Sequence, residues 1–509
     1  MTILKNDIVL APFIGENLSF SVGLNPLGIR TASEQLFTTL LPGMNVVTLR
    51  IRYYSFYCWL LKCFYDTRDI ANLADLRRHI RISELLMALI HAKSGDGLGI
   101  PGITYAQSMI NENKEEYNLV DGAMPNGKAT GGYWKGPLGA MGTYYIASLV
   151  EMGLVAPLTD NMHLYNITKK TDTNYITGGH LADAFEKSIG KESALLFLKC
   201  LGEGIVNNSE LDILAKTFKA KSMNTGEENN LLIAMLLQHD NPAAETKTYM
   251  RRNTIQLLLN YFSTDKVDYL SELEFAQYVY NEFKSGNTKS VSAIGWYAYY
   301  LNDSRQYESL IIFSELLKRL NKSNKPGGWE LIKNITSELA DKVCIDFAIE
   351  SETLEEVIDN WDMYNRPSNV MSEAFYVIID DYVQNKSYDD YKSELRLFFH
   401  GIHNDAMDSF DTIKSYYNYK FHDYIQIFLT DNIIYSHYSE AMRKFSQNGV
   451  ATQKLTIENG YVKGLEYYEA THSSPRINTL FNFVSDLGLI ANYKLTKKGE
   501  ELLNQLNND

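Results

Sequence analysis

The feature that most constrains this chain is an internal echo. Ser148-Leu-Val-Glu-Met-Gly-Leu-Val155 is matched by Phe483-Val-Ser-Asp-Leu-Gly-Leu-Ile490, and a short alternating segment then leads to Ile167-Thr-Lys-Lys170 or Leu495-Thr-Lys-Lys498. Each copy predicts a helix that buries one face, with Ile146, Leu149 and Met152 in the first and Leu480, Val484 and Leu487 in the second. Gly153 or Gly488 ends that helix, because glycine accepts the left-handed backbone angles that side chains resist. A hairpin follows, closing at Thr168 or Thr496, where a hydroxyl is suited to cap the next helix. That helix runs through Leu181, Ala184 and Phe185, or through Leu502, Leu503 and Leu506, and an insertion from Thr171 to Gly179 precedes it in the first copy.

The remainder reads mainly α. Residues 83–92, 194–204, 230–239, 269–283 and 309–320 place apolar side chains at three- and four-residue intervals, whereas strand-like alternation is scarce. Glycine and proline cluster at Ser94 to Gly102, Gly122 to Gly139 and Lys325 to Gly328, which mark loops or boundaries. The expected organisation is a helical N-terminal domain (1–110), a helix–hairpin module (111–190), a helical domain acidic in its second half (191–450) and a C-terminal helix–hairpin module (451–509). With 45% hydrophobic and 22% charged residues, 509 residues can bury a core in each. The opening MTILKNDIVLAPF lacks the pattern of an export signal, and Arg50, Arg52 and Lys62 interrupt the aromatic stretch from Val46 to Tyr65. These point to a cytoplasmic protein with no membrane partner. Cys58, Cys63, Cys200 and Cys344 are too few for a disulfide framework and read as buried thiols.

Charge is unevenly spread. Asp341 to Asp411 holds 17 acidic and 5 basic residues, nearly the whole net charge of −14, while Ser21 to Ala92 holds 8 basic against 5 acidic. An acidic face repels phosphate backbones and attracts basic partners, and it equally serves as a solvated surface.

The order helix, Gly, apolar pair, hairpin, Thr-Lys-Lys resembles the second half of a winged-helix domain, present twice, near residues 130–190 and 455–509. The resemblance covers about 55 residues in the first copy and about 35 in the second. It implies either DNA binding, with the helix before the hairpin in the major groove, or a protein-contact module. The first such helix, Gly142 to Met152, has no basic residue and carries Glu151. The second, Pro475 to Leu487, has Arg476, Asn478 and Asn482 but also Asp486. Lys169 and Lys170, with Lys494, Lys497 and Lys498, are placed to touch phosphates from the hairpin side. Protein contact is therefore favoured for the first copy, and the second stays open between the two.

Near the N-terminus stand Gly23-Leu-Asn-Pro-Leu-Gly28, Leu40-Leu-Pro-Gly43 and Thr48-Leu-Arg-Ile-Arg-Tyr-Tyr-Ser-Phe-Tyr-Cys-Trp59. Pro42 and Gly43 end a helix that starts near Thr31, and the next helix interleaves Arg50 and Arg52 with Tyr53 and Tyr54. That pattern suits stacking on a nucleotide base and pairing with its phosphate. It equally suits a core helix whose arginines meet acids from elsewhere in the chain. The stretch resembles a family of bacterial proteins associated with anti-phage defence islands. The resemblance covers about 40 residues and brings no catalytic residue with it.

His400-Gly-Ile-His403-Asn-Asp405 is the one concentration of imidazole and carboxylate. Histidines three apart on a helix share a face, and with Asp405, or with Asp408 and Asp411 a turn later, they could hold a divalent metal. Gly122 to Ala129 imitates a phosphate-binding loop but has alanine where a hydroxyl must hold magnesium. Two functions follow. The first is a non-catalytic DNA- or protein-binding scaffold or sensor of anti-phage defence, needing no cofactor. Its partner would be an ATPase or nuclease, with double-stranded DNA as a second ligand. The second is a metal-dependent nuclease or phosphodiesterase centred on His400, His403 and Asp405.

Overall fold

A computed structural model describes residues 25–67, 72–124, 136–158, 161–170, 175–221, 225–241, 247–264, 267–395, 398 and 405–508. The protein is mainly α, with short antiparallel strand pairs and one three-stranded sheet. Among the described residues, no helix is long and apolar enough to cross a membrane. Contacts group the chain into two units. Unit 1 comprises, of the described residues, 25–36 and Tyr297–Ser473; unit 2 comprises Phe37–Trp296 and Ser474–Asp509. The sequence alone hides this grouping because the last stretch of chain returns to pack on helices some 200 to 400 positions earlier.

Unit 2 is built around the helix Arg52–Asp66, which is buried on every side from Arg52 to Leu61 and emerges in its last turns at Lys62 and Asp66. Trp59 lies within 6.1 Å (ring centroids) of Phe185, Phe197 and Phe218, and Phe197 stacks on Phe218 at 4.7 Å. The helix Leu73–Ser94 starts where Asn72 accepts from Asp75 N and stops at Gly95. Glu116–Asn118 pairs with Ile205–Asn207. Both expected hairpins are present: Val155–Leu158 with Asn161–Ile167, and Ile490–Ala491 with Lys494–Leu495.

Unit 1 holds a sheet in which Tyr461–Gly464 lies between Glu330–Leu331 and Leu455–Glu458, so that Val462 faces both Glu330 and Ile457. The helices of this unit include Ile332–Phe347, which follows the first strand directly, Val370–Gln384, Ala406–Ser415 and Phe421–Ile427. The last continues as a π-helix, Phe428–Tyr435, and then as Ser436–Asn448. Of the net charge, 297–473 carries 28 acidic and 17 basic side chains, a balance of −11. Unit 2 has 31 and 29, a balance of −2.

Candidate functional site

The echo in the sequence is an atomic duplication. In the first copy Leu154 N donates to Leu149 O (2.9 Å) and Gly153 N to Val150 O (2.9 Å); in the second Leu489 N donates to Val484 O (2.9 Å) and Gly488 N to Ser485 O (3.0 Å). Both helices thus end in the same two-bond cap, with Gly153 at φ +71° and Gly488 at φ +73°. The threonines close the hairpins: Thr168 Oγ1 donates to Gly153 O and Thr496 Oγ1 to Gly488 O, each at 2.7 Å. Each hydroxyl also accepts a backbone N–H, from Gly178 (3.0 Å) or Gly499 (3.1 Å). A Cβ on Gly178 would overlap Leu154 O, and one on Gly499 would overlap Leu489 O. The insertion in the first copy changes one detail. Thr177 rather than Thr168 is the N-cap of the helix Gly178–Ile189, so Thr168 reaches across ten positions to the same N–H.

The two modules meet the same central helix. Tyr54 packs edge-on against Tyr145, beside the first module's helix Ile146–Glu151, and against Phe483 of the second module's helix Ile477–Asp486, with centroids at 5.7 Å in both cases. Tyr53 stacks on Tyr145 at 5.5 Å. Arg50 donates to Leu98 O (3.0 Å) and pairs with Asp486 (2.8 Å). Arg52 spends all five N–H donors: on Glu228 through Nε and Nη2, on Ser188 Oγ through Nη2, and on Thr217 O and Lys219 O through Nη1. Its guanidinium lies 5.0 Å from the Phe185 ring centroid. Arg50, Arg52, Tyr53 and Tyr54 are all buried. Of the two readings of this stretch, the contacts are those of a core helix whose arginines meet distant acids. Nothing of Arg52 is left to offer a ligand.

Arg476 is likewise engaged, donating to Met44 O and lying 4.9 Å from the centroid of the Phe37 ring. Lys498 donates to Asn229 Oδ1 and Leu487 O, and burial holds its ammonium below the ordinary lysine range. Lys494 is exposed with no ion pair among the described residues, as is Lys169 in the first copy. Lys497 is exposed and reaches Glu501 only at 3.9 Å. Lys170 is paired with Asp183. Of these lysines, the exposed ones without a close ion pair among the described residues are Lys169 and Lys494 at the hairpins and Lys497 at the start of the helix Lys497–Asn508. The helices before the hairpins offer none. The first exposes Thr143, Ala147, Val150 and Glu151, and along Ile477–Asp486 only Asn478 is exposed.

The tip of the second hairpin was not foreseen. Asn492 and Tyr493 both have positive φ (51° and 59°), the two-residue turn that fits strand twist. A tyrosine there is strained, and Tyr493 stacks on Phe481 at 5.5 Å and 7° between planes.

Of the metal candidates, His400 and His403 lie outside the described residues. Asp405 is buried and caps the helix Ala406–Ser415, accepting from Met407 N (2.7 Å) and Asp408 N (2.9 Å). Among the described residues, no three His, Cys, Asp or Glu side chains are grouped to hold a metal ion. Three cysteines are buried and Cys63 is half-buried, and burial pushes the Cys63 and Cys200 thiols up to about 12.

Two buried carboxyls give unit 2 a pH dependence. Glu84 accepts from Ala140 N, Met141 N and Tyr57 Oη, yet burial outweighs these and pushes it up to about 7. Asp486 is also pushed up to about 7 by burial, against the pull of Arg50, and its Oδ2 has no hydrogen-bond partner. With the folded value raised, the folded chain keeps protons that the unfolded chain has released. The stability these groups give is complete below the unfolded value near 4 and is lost as pH rises through about 7. Asp486→Asn should flatten the fall in urea midpoint between about pH 4 and 7. An unchanged slope in the variant would assign the dependence elsewhere.

Searches for similar proteins found no matching family model, no matching curated protein and no matching solved structure.

Proposed function

We propose that the chain is a non-catalytic recognition subunit. Unit 1 docks a basic partner protein, and unit 2 holds two winged-helix-like modules that contact protein through their helical faces and nucleic-acid phosphates through Lys169, Lys494 and Lys497. The observation that carries this reading is the division of charge: −11 in 297–473 against −2 in unit 2, where Lys169, Lys494 and Lys497 are exposed at or beside the hairpins. Base reading is not part of it, because neither helix before a hairpin presents a cation. The N-terminal signature supports anti-phage defence as the setting, with an ATPase or nuclease as the partner.

The test is equilibrium binding of the full chain at about 50 mM salt to an arginine-rich peptide and to a 20-base-pair duplex. Salt-sensitive binding of the peptide is expected, together with weak duplex binding in the range of about 10⁻⁴ to 10⁻⁶ M that ignores sequence. Failure to bind either probe, or strong preference for one DNA sequence, would overturn the reading.

A further inference from the structure

Unit 1 contains an open groove of about 620 Å³ between the start of the helix Ile332–Phe347 and the run formed by Phe421–Ile427 and its π continuation Phe428–Tyr435. The floor is uncharged. Ile332, Ile427 and Thr336 line it, and Gln426 Nε2 ties the two helices by donating to Lys333 O (3.0 Å) and Thr336 Oγ1 (3.3 Å). The rim has a different chemistry. Asp423 and Asp431 lie on the same helical run, eight positions or roughly 12 Å apart along its axis. Beside them stand Tyr419 and Tyr435, exposed by 46% and 44%, large for aromatic side chains. Asp431 is exposed, and its carboxylate has no partner among the described residues. Asp423 is met only by its neighbour His422 (3.3 Å). The π turn matters here: it is a rare geometry that recurs at functional sites, and it supplies Thr430, Asp431 and Tyr435 to the wall.

We infer that this groove seats an extended segment of a partner protein bearing two arginine or lysine side chains four residues apart. The inference rests on the reading that unit 1 docks a basic partner, and it names where. A carboxylate beside an exposed tyrosine face is the chemistry that selects a guanidinium or ammonium group, by ion pairing and by cation–π attraction. The apolar floor takes the aliphatic stems. An extended chain advances roughly 3.3 Å per residue and alternates faces, so side chains four apart share a face and span about 13 Å, close to the roughly 12 Å rise between Asp423 and Asp431 along the helical run. Lys333, exposed on the groove wall, is the one cation lining it among the described residues and opposes such a guest. The surrounding −11 of 297–473 brings a basic segment to this face rather than an acidic one.

The test uses the full chain and a fluorescein-labelled Gly-Ala-Arg-Ala-Ala-Ala-Arg-Ala-Gly peptide in fluorescence anisotropy at low salt. Asp423→Asn with Asp431→Asn should weaken binding at least about tenfold. Glu350→Gln with Asp362→Asn changes the charge of unit 1 equally, at exposed positions outside the groove, and should weaken it less than about twofold. Tyr435→Ala should cost about fivefold and Lys333→Met should tighten binding. All these side chains are exposed, so circular dichroism melts should be unchanged and loss of fold is separable from loss of the site. Equal weakening by the two pairs would overturn the groove and leave acidic docking standing. No binding by the wild-type chain, with failure of the arginine-rich peptide above, would overturn both.

Discussion

Gly499→Ala should lower the melting temperature of unit 2 by about 6–12 °C, the equivalent of about 3 kcal/mol in a unit of this size. The new Cβ would overlap Leu489 O, which accepts from Thr496 N at 3.0 Å and lies 3.3 Å from Thr496 Oγ1. Relief of the overlap must open the threonine clamp that holds the hairpin on its helix. Gly178→Ala should cost a similar amount, because Leu154 O occupies the same place in the first module. Gly202 is the control. It lies in the helix Lys191–Glu203 with no heavy atom within 4 Å of an added Cβ, so alanine there should be neutral or stabilising by up to about 1 kcal/mol. Thermal melts of the three variants check this. A harmless Gly499→Ala would mean that the two nodes are not the structural units described.

The second large effect is at the Arg52–Glu228 pair, whose side chains are 4% and 1% exposed. Glu228→Ala removes the one carboxylate on that guanidinium among the described residues, and the acceptor of Ser55 Oγ (2.5 Å), leaving an uncompensated buried charge. The expected cost is about 3–5 kcal/mol in urea unfolding. Arg52→Met combined with Glu228→Leu should recover part of it, because the uncompensated charge is gone while Thr217 O, Lys219 O and Ser55 Oγ lose the partners this pair gives them. If Glu228→Ala left stability intact and instead abolished binding of a ligand, Arg52 would be a binding residue and not a core one.

How much of this was legible in sequence depends on how far apart the interacting residues lie. The hairpins were legible because cap glycine and closing threonine lie 15 positions apart in one copy and 8 in the other, directly after the helix they end. The role of the Arg/Tyr stretch was not. Its two readings differ only in what the guanidiniums meet, and Glu228 and Asp486 lie 176 and 436 positions away from Arg52 and Arg50. Gly178 and Gly499 carry the duplication as firmly as the cap glycines do. Because the insertion puts them at different distances from Thr168 and Thr496, alignment by spacing passed over them. The groove in unit 1 depends on a π-helix, which has no apolar period of its own to read, and on two chain segments about 90 positions apart.

The salt dependence of duplex binding tests recognition without base reading most directly. Three lysines at or beside the hairpins, facing phosphates, give a slope of log K against log salt near −2.7, or about a 40-fold loss between 50 and 200 mM. Lys169→Gln with Lys494→Gln and Lys497→Gln should remove that dependence, and scrambling the duplex should change nothing. A slope of about −6 or steeper, surviving the triple substitution and lost on scrambling, would contradict it.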